Sequence, residues 1–87
     1  MENAGAPMPQ YQCHKKVWAL KIACVIRDIG DGAFEIKPAD KSYAVFTTKP
    51  KWPWKGSEAD QGYFVVYEDG YESWSPTKAF EEGYTRI

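Results

Sequence analysis

The sequence predicts an α+β domain: a small, twisted antiparallel sheet of about five strands, free to curl toward a barrel, with one short C-terminal helix packed on it. Three observations carry this. Apolar residues recur at every second position over Lys15–Ile26, a period of two that marks a strand. Two turn signals, Gly30-Asp31-Gly32 and Asp69-Gly70, each join a pair of apolar runs. Finally, Ser75-Pro76 followed by Ala79-Phe80 and Gly83 reads as the start, buried face and stop of a two-turn helix.

Taken in order, residues 1–10 are small, Pro-containing and without periodicity, the composition of a disordered arm. Residues 11–87 then form a single domain. In the first strand Trp18, Leu20, Ile22, Cys24 and Ile26 share one face, and Val17, Ala19, Lys21, Ala23 and Val25 share a smaller mixed face. Cys24 is therefore expected to be a buried thiol. After the Gly30-Asp31-Gly32 turn, Ala33–Lys37 alternates with Phe34 and Ile36 inward. Pro38–Lys41 breaks the chain, and Ser42–Thr47 is the third strand of a meander. A long loop follows, Lys49–Gln61, in which Pro50, Pro53 and Gly56 exclude regular structure.

The C-terminal stretch is the most strongly patterned. Tyr63–Tyr67 is an aromatic and β-branched run, and Asp69-Gly70 suits a two-residue type I′ turn. That turn would set Val65 opposite Trp74 and place Tyr63, Val65, Tyr67 and Trp74 on one face, with Phe64, Val66, Tyr71 and Ser73 on the other. Both faces are apolar, so this strand is expected to be central. For the helix, Ser75 is the expected cap, Pro76 the first helical residue, Trp74 and Ala79 a hydrophobic staple, and Gly83 a left-handed terminator. Glu81 and Glu82 sit at the helix end where carboxylates are disfavoured, so a cationic partner is expected for one of them.

Eighty-seven residues suffice for one core, and 44% hydrophobic with 16% aromatic content is enough to fill it. The net charge of −1 argues against non-specific nucleic-acid binding. The charge is unevenly spread: residues 1–55 carry nine Lys/Arg and five Asp/Glu, residues 56–87 two and seven, so +4 is followed by −5. Such polarity suits a head-to-tail homo-oligomer or a partner with a charged patch, and equally a solvated surface. Two cysteines with no signal sequence point to a cytosolic chain without a disulfide framework, and no apolar run is long enough to cross a membrane.

The segment with the composition of a site is Lys51-Trp52-Pro53-Trp54-Lys55. Indoles beside ammonium groups on a proline-stiffened loop can stack a nucleotide while lysines meet its phosphates, can anchor a protein partner, or can fold back and cap the core. Tyr67, Tyr71 and Trp74 add an aromatic surface on the adjoining hairpin, through which copies of the chain could also dimerise. The candidate partner-binding residues are thus Lys51, Trp52, Trp54, Lys55, Tyr67, Tyr71 and Trp74. Cys13-His14 is no metal site, since zinc wants about four ligands, and adjacent strand residues point to opposite faces, which rules against a Cys–His dyad. There is no phosphate-cradling glycine loop and no nucleophile elbow, so neither catalysis nor a cofactor is expected.

Two segments carry a resemblance. Tyr11–Lys15 with Val17–Ile22 at the front, and Gly62–Tyr71 with Ser73–Pro76 and Ala79–Tyr84 at the back, resemble a family of small tailed-phage proteins, the gene-product-49/66 family. The likeness spans residues 11–87, and Trp52-Pro53-Trp54-Lys55 departs from it. It implies a phage accessory protein acting in the host bacterial cytoplasm and brings no catalytic residue with it. The expected function is non-enzymatic binding and inhibition of a host defence or regulatory protein. The alternatives are an oligomeric binder that sequesters a nucleotide signal and a virion structural or assembly component.

Overall fold

A computed structural model describes residues 8–12 and 16–86. Its elements are β1 (Gln10–Gln12), β2 (Lys16–Gly30), β3 (Ala33–Pro38), β4 (Phe46–Thr47), β5 (Tyr63–Tyr67), β6 (Glu72–Ser75), α1 (Thr77–Gly83) and β7 (Thr85–Arg86). All strand pairs are antiparallel. The five expected strands are present, and β1 and β7 add two short ones. The sheet does not close into a barrel: its path runs β4-β3-β2-β1-β7, with β5 and β6 branching from β2.

β2 organises the molecule because it serves both edges. Ala19 N–H donates to Pro9 O and Lys21 O accepts from Ala39 N–H, whereas Ile22 N–H donates to Gly62 O. Backbone groups alternate in direction along a strand, so β1 and β3 follow one another along one edge and β5 occupies the other. Of the expected arm 1–10, residues 1–7 lie outside the described ones. Met8 packs against the core and Gln10 opens β1. Cys13 and His14 also lie outside the described residues.

The core has two parts, one on each face of β5. Val17, Ala19, Tyr63, Val65 and Phe80 form the first, covered by α1. Ile22, Ile36, Trp52, Phe64 and Val66 form the second, covered by β3, β4 and the long loop. β5 is thus central, as its two apolar faces predict.

The hairpin register differs from the expected one. Phe64 faces Trp74, Val65 faces Ser73, and Tyr67 exchanges a backbone bond with Tyr71. The loop is therefore three residues, Glu68-Asp69-Gly70, closed by Gly70 at φ +88, the left-handed position such loops reserve for glycine. One residue of slip moves every side chain to the opposite face. Trp74 accordingly joins Phe64 and Val66 in the second core part, and Tyr71 joins Tyr67 on the helix-facing side.

The regular alternation of β2 also fails beyond Ile22. Bulges between Ile22 and Cys24, Val25 and Arg27, and Asp28 and Gly30 each shift the phase by one residue. Val25, not Cys24 or Ile26, reaches the core; Cys24 is an exposed thiol and Ile26 is exposed. In the third run, the chain turn continues past Lys41. Asp40 accepts from Ser42 N–H through its carboxylate and from Tyr43 N–H through its carbonyl, so only Phe46–Thr47 of Ser42–Thr47 is strand.

The helix is capped from a distance. Ser75 belongs to β6, Pro76 occupies the cap position, and no side chain next to it supplies a capping bond. The carboxylate of Asp60 instead accepts from Thr77 N–H at 3.2 and 3.3 Å and from the Thr77 hydroxyl at 2.6 Å. Ala79 is exposed and Trp74 lies on the other face, so the expected staple does not form. Gly83 is the last helical residue, without a positive φ, and an extended Tyr84 ends the helix with its N–H on Phe80 O. Phe80 fixes the helix to the sheet, stacked between Tyr63 (4.2 Å) and Tyr84 (4.5 Å). Glu81 finds its cation in Lys21, at 3.7 Å, and also accepts from the Tyr63 hydroxyl at 2.7 Å.

Candidate functional site

The long loop is built onto two hairpins at once. Its Lys51 N–H donates to Asp31 O at 2.8 Å and its Trp52 N–H to Gly32 O at 3.0 Å, which lays the loop along the β2–β3 turn. Lys51 adopts a left-handed φ of 61°, unusual for a side chain with a Cβ. That conformation turns the chain so that Trp52 points inward. Trp52 is buried, edge-on to Phe34 and tilted on Phe64, and its Nε1 donates to Ser73 O at 2.8 Å. On the same side Lys49 N–H donates to Glu72 Oε1 at 2.7 Å and Lys49 Nζ to Gly70 O at 3.1 Å. The loop therefore bridges to β6 through side chains, across the gap the backbone ladder leaves open.

Between loop and hairpin lies a cleft of about 300 Å³ lined by Lys49, Lys51, Trp52, Asp69, Tyr71 and Glu72, among others. Among the described residues Tyr71 is the most exposed of the large apolar side chains, at 53%, and its ring stacks on Tyr67 at 5.7 Å. A stacked, exposed phenol has its rotamer largely fixed before anything binds.

Of the candidates, Lys51, Trp52 and Tyr71 line this cleft, while the Tyr71 ring turns to Tyr67 on the helix-facing side. The cleft does not bring in the other three candidates. Trp54 is half-buried against Phe34 at 5.7 Å, and its Nε1 is buried without a hydrogen-bond partner among the described residues. Lys55 is exposed beyond the cleft. Trp74 is half-buried, and its Nε1 donates to Gln61 O at 2.7 Å. Asp69 and Glu72 also line the cleft, and neither carries a local sequence signal for it. In the sequence Asp69 reads as a turn residue, and nothing local marks Glu72 as the acceptor for Lys49.

A second, wider groove of about 550 Å³ runs between residues 58–61 and α1. Its walls hold Lys21, Glu58, Asp60, Thr77, Glu81 and Glu82. Asp60 has its carboxyl pKa lowered from 3.8. The Thr77 hydroxyl is the main cause, the N–H groups of Thr77 and Gly62 and the charge of Lys21 assist, and partial burial opposes. The groove is thus organised around a structural cap. Among the described residues, no group of three or more His, Cys, Asp or Glu is gathered as a metal site, and no helix is long and apolar enough to cross a membrane.

Compared with family models, with curated proteins and with solved structures, the chain finds no match in any of the three. The likeness to the tailed-phage family stands on the quoted residues alone.

Proposed function

We propose that the chain is a non-enzymatic binding module that docks a protein partner in the cleft framed by Lys51, Trp52 and Tyr71. The observation that carries this reading is Tyr71, half out of the surface at the rim of the cleft that Lys51 also lines, with its ring stacked on Tyr67. Interface anchors are typically aromatic side chains with little rotamer freedom left to lose, ringed by polar groups. Trp52 supports the cleft from below and keeps loop and hairpin in fixed relation.

The nucleotide reading is the weaker one. Trp52 and Trp54 pack against Phe34, so neither indole is offered as an open stacking platform, and Asp69 and Glu72 in the cleft would repel a phosphate. The phage likeness supplies the partner's class: a bacterial defence or regulatory protein, bound and inhibited in the host cytoplasm. The reading is tested by placing a photo-crosslinking amino acid at Tyr71, and separately at Val45, an exposed residue outside the cleft. Position 71 should give one discrete crosslinked bacterial protein and position 45 none. Crosslinks that do not depend on position would remove the cleft from the account.

A further inference from the structure

We propose that α1 is a detachable cover: residues 76–84 open as one unit while the sheet beneath stays folded, and the Asp60 carboxylate is the latch that holds the cover down. A helix of seven residues is too short to persist on its own. Its charges also run against the helix dipole. Lys78 lies in the first turn and Glu81 and Glu82 in the last, with no acidic residue at the start and no basic one at the end. α1 is therefore helical because it is docked.

The docking is thin. Of the seven residues only Phe80 is buried. Its ring lies between Tyr63, which belongs to the sheet, and Tyr84, which leaves with the cover. Beside it stand polar contacts: Asp60 with Thr77, and Glu81 with Lys21 and Tyr63. Lys21, Asp60, Thr77 and Glu81 all border the open groove of about 550 Å³. The Lys21 and Glu81 side chains are about half exposed, so that pair holds weakly. Asp60 is different, since one carboxylate takes both the N–H and the hydroxyl of Thr77 and closes the free end of the helix.

The post that carries this latch stays with the sheet. Gln61 accepts from Trp74 Nε1 through its carbonyl and from Val25 N–H through its side chain, and Gly62 O accepts from Ile22 N–H. The cover is tethered at both ends, for Ser75 closes β6 and Thr85 opens β7, which pairs with β1. Opening thus breaks the Phe80 packing and the Asp60 latch and uncovers Val17, Ala19, Tyr63 and Val65. The ladders of β5 with β2 and β6 stay intact. Segments with little buried apolar surface open below the free energy of global unfolding.

The test is native-state hydrogen exchange of the whole chain, read by NMR at rising urea below the unfolding transition. The Phe80 and Tyr84 amides, bonded to Pro76 O and Phe80 O, should be at least tenfold less protected than the Ile22 amide on Gly62 O, and should barely respond to urea. Asp60→Ala should speed the two helix amides about 2- to 30-fold, the usual worth of a cap. Ile36→Val, in the second core part on the other face of β5, should speed the sheet amides about 2- to 12-fold and leave the helix amides unmoved. Helix amides that share the protection and urea response of the sheet, or that move with it in Ile36→Val, would show one cooperative unit and overturn the proposal. Helix amides unmoved by Asp60→Ala would overturn the latch.

Discussion

The indole of Trp52 donates its N–H to the carbonyl of Ser73, 21 residues further on, at 2.8 Å. With Trp52 N–H on Gly32 O, this one residue joins the β2–β3 turn, the long loop and β6. It is both the largest part of the second core cluster's loop-side cover and the support of the cleft. A residue that on composition belongs to a binding loop is first of all a packing residue.

Trp52 and Trp54 therefore should respond differently to the same change. Trp52→Phe keeps most of the apolar surface but leaves the Ser73 carbonyl without its buried donor, at a cost of about 1–3 kcal/mol. Trp54→Phe removes a buried N–H that has no partner among the described residues, so its loss of packing is partly offset, and the net change should stay within about 1 kcal/mol. Urea unfolding followed by fluorescence measures both. Equal losses would contradict the assignment of the two indoles. Trp52→Ala should lose about 3–5 kcal/mol, so any binding it abolishes reflects unfolding.

Two glycines give opposite predictions. Gly62 lies at φ +79, and a Cβ there would come within 2.3 Å of Trp74 Nε1 and 2.5 Å of Ser75 O. Gly62→Ala should destabilise by more than about 1 kcal/mol. Gly83 is helical with open space around it, so Gly83→Ala should stabilise by roughly 0.5–1 kcal/mol. Had Gly83 been the left-handed terminator its sequence position suggests, the second substitution would destabilise. Thermal melts of the two variants settle the point.

Asp60 makes helix docking acid-sensitive. Its folded pKa lies below the ordinary value, so the unfolded chain binds more protons between the two, and stability rises with pH there. The contribution is fully present above about pH 4, and it is lost as pH falls through the folded pKa. Urea midpoints of wild type should therefore fall more steeply below pH 4 than those of Asp60→Asn. At neutral pH Asp60→Ala should cost about 0.5–2 kcal/mol, the usual loss of a helix cap. Parallel pH curves for wild type and Asp60→Asn would show that the cap is not formed.

Much of the fold was legible because it is written locally. The period of two in β2, the glycine turn into β3 and the doubly apolar β5 each follow from neighbouring residues. The errors arise where a distant residue decides. Asp69-Gly70 fits a two-residue turn and the end of a three-residue turn equally well, and tertiary packing of Trp74 beside Phe64 selects the second. The bulges of β2 lie in its pairing with β3, beyond the stretch it shares with β5, and no turn residue marks them in the sequence. The helix cap comes from Asp60, 17 residues before Thr77, out of reach of any capping pattern read along the chain. For the site, Lys51, Trp52 and Tyr71 were legible as residue types. Their separation from Trp54, Lys55 and Trp74 was not, because it depends on which indole turns inward.

The most direct measurement is capture of bacterial partners by the immobilised chain, compared across wild type, Tyr71→Ala and Lys51→Asn. Tyr71→Ala removes an exposed ring and its stacking, worth about 0.5–1.5 kcal/mol, and Asn tolerates the left-handed backbone of position 51, so both variants should remain folded with melting curves near wild type. The account predicts that wild type retains a discrete bacterial protein, that Tyr71→Ala loses it at least tenfold, about 1.4 kcal/mol in affinity, and that Lys51→Asn weakens it less. Undiminished capture by both folded variants would contradict the cleft as the binding site.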